Sequence, residues 1–370
     1  MSRFVQLHLL TSYPPANLNR DDLGRPKTAL MGGAERLRIS SQSLKRAWRT
    51  SDTFQSKLGD NMGVRTKRIG EEIFDQLIDG RIKEKNAHQW AKDISGVFGK
   101  TREPSKEDKK KEDFDPLAKK WLHIEQLAHF SPEERQAIDD LVAELCKRNE
   151  GPNADDLKLL RQQHSAADIA LFGRMLADDP RFNTEAAAQV AHAITVHRVA
   201  VEDDFYTAVD DLNRGEEDVG AGHMGETEFG AGVFYLYLCL DRELLSRNLD
   251  EDSDLAARTI AALTESAATV APTGKQNSFA SRARASYILC ERGDTQPRSL
   301  SVAFLKPVTA GERDGMLENA ITTLEKTREK LDKVYGDGDT DARIMNAVSG
   351  EGSLQAIIDY ASGDLSCAAS

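Results

Sequence analysis

The sequence has four cysteines (Cys146, Cys239, Cys290, Cys367), far apart and without a C-x-x-C pair. That argues against a metal or redox role and for reduced, structural thiols. Long apolar runs are missing as well. No stretch approaches the roughly 20 residues of a membrane helix, and the opening MSRFVQLHLL lacks a signal-peptide core and cleavage site. A cytoplasmic chain with no membrane partner is expected. The eight histidines form no metal constellation: His192 and His197, five apart, would fall on different sides of a helix. There is no G-x-S-x-G and no cysteine-centred nucleophile signature.

What is present is charge. Of 370 residues, 30% are charged and 39% hydrophobic, the make-up of an ordinary soluble globular chain of roughly two domains. The formal net charge is −12 but uneven. Residues 1–50 carry nine basic and three acidic side chains, a net of +6, which leaves −18 for the rest. The segment RLRISSQSLKRAWR (Arg36–Arg49) concentrates this excess, setting Ser40, Ser41, Gln42 and Ser43 between Arg36, Arg38, Lys45, Arg46 and Arg49. Hydroxyls interleaved with cations suit phosphate, and a polyanion would be confined to one face of an otherwise acidic protein.

Along the chain, RFVQLHLLTS (Arg3–Ser12) reads as a strand, followed by a Pro- and Gly-punctuated loop. A helix begins after Ser40 or Ser41 as N-cap, and Lys45 and Arg49, one turn apart, share one face of it. Its N-terminus is a natural anion site. Residues from about 60 to 160 are polar and helical. SPEERQAIDDLVAELCKRN opens on a capping box, Ser131 with Glu134. Thr101–Asp115 is a mixed charge run expected to be a solvated loop. DIALFGRML (Asp168–Leu176), GVFYLYLCL (Gly232–Leu240), SYILC and SLSVAFL read as strands. TEAAAQVAHAITV (Thr184–Val196), AARTIAALTESAATVA and GMLENAITTLEKTREKLDKVY read as helices. Glu202–Gly232 is an acidic, glycine-rich excursion from a sheet. The interleaving gives an α/β or α+β class with a helical insertion.

Two glycine motifs are set aside. GAGHMG (Gly220–Gly225) leads into a strand rather than opening a helix, so it is no dinucleotide fingerprint. PTGKQNS (Pro272–Ser278) lacks the earlier P-loop glycine, and Gln276 stands where magnesium would need a hydroxyl; Lys275 remains a candidate phosphate contact. Asp21 and Asp22 could hold a divalent metal or act as a base on a ribose hydroxyl, or could form turn hydrogen bonds.

In order along the chain, LNRDD (Leu18–Asp22), Lys27, Gly32–Gly33, RISSQSLKRA (Arg38–Ala47), DIALFGRM, AHAIT (Ala191–Thr195), FYTAVDD (Phe205–Asp211), GVFY and, more weakly, GKQNSFA closely resemble the backbone (CasC-like) subunit of the type I-E CRISPR Cascade complex, in the RAMP superfamily. EDKKKEDFD and EEDVGAGHMG depart from that pattern. The resemblance implies an α+β hand. An RRM-like (ferredoxin-like) palm sheet would come from residues 1–60, 165–200 and 231–370, the last with C-terminal helices. Helical fingers would span 61–164 and a protruding thumb hairpin 201–230. It implies no catalysis and no cofactor or metal. The implied partners are CRISPR guide RNA, further copies stacked head to tail, other Cascade subunits, and target DNA reached through the guide. Carried over residue by residue, Arg20, Lys27, Ser40, Gln42, Lys45 and Arg49 would meet the guide backbone. Met175 would press on bases, and Phe205, Tyr206 and Val209 would wedge at a displaced nucleotide. The sheet lacks the aromatic signature of an ordinary RRM, so loops, the helix start and the thumb are expected to carry the RNA. The alternative is a metal-dependent ribonuclease of the type III backbone kind using Asp22.

Overall fold

A computed structural model describes residues 2–162, 164–176, 179–208, 223–311, 315–336 and 341–364. In chain order the elements are β1 (Phe4–Ala16), β2 (Thr28–Met31), β3 (Ala34–Ile39), α1 (Ser41–Arg49), α2 (Asp52–Leu58), β4 (Val64–Thr66), α3 (Ile69–Asp79), α4 (Glu84–Gly96), β5 (Ala128–Phe130), α5 (Pro132–Arg148), α6 (Ala167–Phe172), β6 (Ala188–Val190), β7 (Ala193–Thr195), β8 (Glu202–Ala208), β9 (His223–Asp241), α7 (Arg242–Asn248), α8 (Ser253–Thr269), α9 (Gln276–Phe279), β10 (Ala285–Gly293), α10 (Met316–Tyr335), β11 (Asp341–Asn346) and α11 (Leu354–Ser362). The class is mixed α and β with an antiparallel sheet. Among the described residues, no helix is long and apolar enough to cross a membrane.

Two compact units emerge. The first comprises 1–57, 188–242 and 257–370; the second comprises 58–187 and 243–256.

In the first unit the sheet order is β11-β10-β1-β9-β7-β3-β2. β1 is central, antiparallel to β10 from Phe4↔Gly293 and to β9 from Phe4↔Asp241. Flanked on both edges, it buries seven consecutive residues, Val5 to Thr11. Its ladder with β9 slips between Tyr13 and Ala16, where Pro14 and Pro15 have no N–H to donate. One core packs Leu10, Tyr235, Tyr287, Leu289 and Phe304 with Ala320, Ile321 and Leu324 of α10. A polar cluster adjoins it, with His8 and Glu291 fully buried and Arg328 partly exposed. His8 bonds Tyr235 Oη through Nδ1 (2.9 Å) and Glu291 through Nε2 (3.1 Å), and Arg328 reaches Glu291 at 2.8 Å.

The second unit packs α3, α4 and α5 around Ile73, Leu77, Ala91, Ile94, Phe130, Ile138 and Leu145, beside the β4–β5 pair. The Ser131–Glu134 capping box is complete. Glu134 also takes Arg174 Nη1 at 2.6 Å, both side chains almost wholly buried. His129 Nε2 lies 2.9 Å from the buried Asp168 carboxylate, whose other oxygen accepts the Gly63 amide at 2.8 Å.

Three segments differ from the sequence reading. Asp168–Leu176, expected as a strand, is mostly α6, which ends at Gly173 with φ 79°. A short apolar run has no periodicity long enough to separate strand from buried helix. Thr184–Val196, expected as a helix, forms β6 and β7, because β9 offers both of them ladder partners. His192 and His197 are therefore not on a helix: His192 meets Arg38 (2.8 Å), and His197 Nδ1 meets the Arg198 carbonyl (2.9 Å). SLSVAFL is a 3-10 turn at Ser301–Phe304.

Candidate nucleic-acid interface

α1 is built as expected from the sequence. Ser40 is the N-cap, its Oγ accepting the Ser43 amide at 3.3 Å, and Leu44, Ala47 and Trp48 turn inward. Trp48 is fully buried and anchors the helix; truncating such a side chain typically costs about 3–5 kcal/mol. The first turn contains no acid and the last turn holds Arg46 and Arg49. With no acid of its own in that first turn, the helix start keeps the positive end of its dipole, which attracts anions. Gln42 and Arg46 are exposed, while Lys45 and Arg49 are half-buried. Burial lowers the Lys45 ammonium from its usual pKa.

The loop after β1 is pinned to this helix start. Asn19 Oδ1 accepts the Ser40 amide at 2.8 Å, and the Asn19 carbonyl accepts the Lys27 amide at 2.8 Å. The Lys27 carbonyl in turn accepts the Arg38 amide at 2.8 Å. Asp21 is used up in the turn: its Oδ1 accepts the amides of Leu23 and Arg25, each at 2.9 Å. Asp22 is exposed. Between loop and helix opens a cavity of about 530 Å³, lined among others by Arg20, Asp22, Ser43, Arg46, Thr50 and Gly274. Arg20 and Ser43 of α1 therefore face one space, whose lining does not include Lys27, Ser40, Gln42, Lys45 or Arg49. Arg46 and Asn19, which the sequence reading did not single out, belong to it too. Arg46 was visible in the basic run; nothing in the sequence marked Asn19.

Arg36 does not join them, contrary to its place in the basic segment. It is fully buried in β3, its guanidinium donating to the carbonyls of Thr195 (3.1 Å) and Phe304 (2.8 Å). Arg38 engages His192, whose pKa is lowered by burial and by the charges of Arg38 and Lys27.

β8 and the first half of β9 form a two-stranded ribbon, from Glu202↔Phe229 to Ala208↔His223. Phe205 (59% exposed) and Tyr206 (45%) are adjacent on β8, so they stand on opposite faces of the ribbon. Tyr206 lies over its partner Gly225, where a Cβ would come within 2.5 Å of its hydroxyl. Val209 lies outside the described residues. In the second unit Met175 is 82% exposed, and both of its neighbours are held. Arg174 pairs with Thr184 through two backbone bonds of 3.0 Å, and the Leu176 amide meets Asn183 Oδ1 at 2.6 Å. Among the described residues, no group of three His, Cys, Asp or Glu side chains could hold a metal ion.

The site thus combines a helix with no acid in its first turn and a loop carrying both Arg20 and Asp22, on an antiparallel sheet extended by a two-stranded ribbon. The protein's family is clear: residues 5–361 match the model of the CT1975-like proteins, and the chain belongs to that family. Two solved structures are similar over nearly the whole chain. One, a chain of a "CRISPR RNA-guided surveillance complex, pre-nicking", is 30% identical with a TM-score of 0.80, covering 97% of this chain and 99% of that one. The other, a chain of a "CRISPR RNA-guided surveillance complex", is 25% identical with a TM-score of 0.58, covering 97% and 98%. No curated protein matches the chain. The resemblance to Cascade backbone subunits read from the sequence blocks is borne out by the family and by these structures.

Proposed function

We propose that this protein is a non-catalytic, guide-RNA-binding backbone subunit of a type I-E CRISPR surveillance complex. Copies stack head to tail along the RNA and present it, with other Cascade subunits, for pairing with target DNA. The observation that carries this is α1, free of acids in its first turn, whose Ser43 and Arg46 line one cavity with Arg20 of the loop. Arg20, Lys27, Ser40, Gln42, Lys45 and Arg49 hold phosphates, a contact set that fixes the strand without reading sequence. Guide sequences vary, so specificity belongs to base pairing and the protein reads backbone and shape. Met175 packs on bases, and the ribbon acts as a thumb whose Phe205, Tyr206 and Val209 displace a nucleotide. Such wedges cost a few kcal/mol of unstacking, offset by about 1–3 kcal/mol of stacking per base. The strand order β10-β1-β9-β7, with helices in the β1–β7 and β9–β10 connections, supports an RRM-like palm. The helical unit supplies the fingers.

The test is binding to single-stranded RNAs of unrelated sequence. Lys45→Ala with Arg49→Ala is expected to weaken every one of them about equally. A loss confined to one sequence would contradict the reading. Asp22, exposed at the cavity, keeps the ribonuclease alternative testable. Magnesium-dependent, regularly spaced cuts abolished by Asp22→Ala would establish that alternative, and intact RNA would exclude it.

A further inference from the structure

We propose that Asn17 is a positioning residue that locks the loop 17–27 to the root of the β8–β9 ribbon, so that the phosphate-holding loop and the wedge keep one register. The inference rests on the RNA-binding reading above. Asn17 is fully buried. Its side-chain amide donates both hydrogens, one to the Gly24 carbonyl within the loop and one to the Glu228 carbonyl on β9, each at 2.9 Å. Two carbonyl neighbours fix the orientation of the amide, since the opposite flip would set oxygen against oxygen. Asn17 Oδ1 is left buried without a partner. An apolar residue would avoid that penalty, so the position carries it for the two bonds, one within the loop and one from loop to ribbon.

The surroundings add to the lock. Arg25 of the loop pairs with Glu228 at 3.3 Å, but it is largely exposed, and such pairs hold weakly. Lys275 Nζ reaches the Thr227 hydroxyl, one residue before Glu228. Gly274 closes the loop from another side, where a Cβ would lie 2.3 Å from the Leu18 carbonyl oxygen. At its other end the loop is tied by Asn19 to the α1 start. Arg20 and Phe205 thus sit on two elements joined through one buried side chain.

The experiment is a coupling measurement on RNA binding. Affinities are measured for Arg20→Ala, Phe205→Ala and the double variant, in the native background and again with Asn17→Ala. In the native background the double loss is expected to differ from the product of the single losses by about threefold or more. With Asn17→Ala the losses should multiply. Looser packing alone would weaken all four proteins alike and leave the coupling in place. Where Asn17→Ala does not fold, Asn17→Ser, which keeps one donor, is expected to show a reduced coupling. Independent losses in the native background, or a coupling that survives the change at Asn17, would overturn the inference while leaving RNA binding intact. A native chain that binds no RNA would overturn both.

Discussion

Within the basic segment the structure separates two kinds of cation, and salt titration tells them apart. Arg36 spends its guanidinium on two buried carbonyls, whereas Lys45 and Arg49 lie on α1 with part of each side chain open to solvent. Each phosphate neutralised on a single strand contributes about −0.7 to the slope of log affinity against log salt. About four to six contacts per copy give a slope of roughly −3 to −4, a loss of about 50- to 300-fold between 50 and 200 mM salt. Lys45→Ala with Arg49→Ala should flatten the slope by about 1.4, reducing that loss to about 7- to 50-fold. Arg36→Met should leave the slope unchanged and act on folding instead. Two carbonyls lose their donors at about 1–3 kcal/mol each, partly offset by no longer burying a charge without a carboxylate partner. A net cost of about 1–3 kcal/mol, read as a fall of a few degrees in Tm, is expected. Fluorescence anisotropy with a labelled RNA at five salt concentrations, beside a thermal melt, suffices. If Arg36→Met flattens the slope by about 0.7, the assignment of Arg36 to the core is refuted.

Other consequences are equally direct. Glu134→Ala strands the Arg174 guanidinium in the interior and should destabilise the helical unit by about 3–5 kcal/mol, measured by urea unfolding; a change below 1 kcal/mol would contradict the buried pair. Gly274→Ala places a methyl against the backbone of the loop 17–27 and should weaken RNA binding and lower Tm together, whereas Gly59→Ala, where nothing lies within 4 Å, should not affect RNA binding. Acid should destabilise the first unit in two stages. Burial lowers the His8 pKa, so stability falls as the pH drops below about 6.5, where the unfolded chain takes up the proton. Burial would raise Glu291, but the bond from His8 and the charges of Arg298 and Arg328 hold it down to about 2, so its contribution persists above about 4.5 and is lost from there toward 2. Melting curves from pH 8 to 2 should show this decline, and His8→Gln should flatten its upper stage; a Tm that rises toward acid would contradict both signs.

What the sequence made legible was local. Ser40 and Ser131 announce helices because a cap and its amides lie within three residues, and α10 declares itself by length and periodicity. Thr184–Val196 misled because alanines favour a helix in isolation, while β9, some fifty residues on, supplies the pairing that makes strands. Arg36 looked like its exposed neighbours, since its partners at Thr195 and Phe304 are distant in sequence. Asn17 and Asn19 read as ordinary loop residues for the same reason. Their roles depend on the carbonyls of Gly24 and Glu228 and on the amide of Ser40, groups that every residue has and no motif records. The residues proposed to meet phosphate were nominated because helix start, charge run and family blocks coincide in one stretch. The opposed faces of Phe205 and Tyr206 follow from strand geometry once β8 is recognised.

The central claim is that RNA length dictates how many copies assemble, as expected for a head-to-tail contact that does not close. Analytical ultracentrifugation of the chain with single-stranded RNAs of increasing length, in magnesium and with RNA integrity checked afterwards, tests it directly. The account predicts a complex mass that rises in even steps on intact RNA. A single small complex at every length, or shortened RNA, would contradict it.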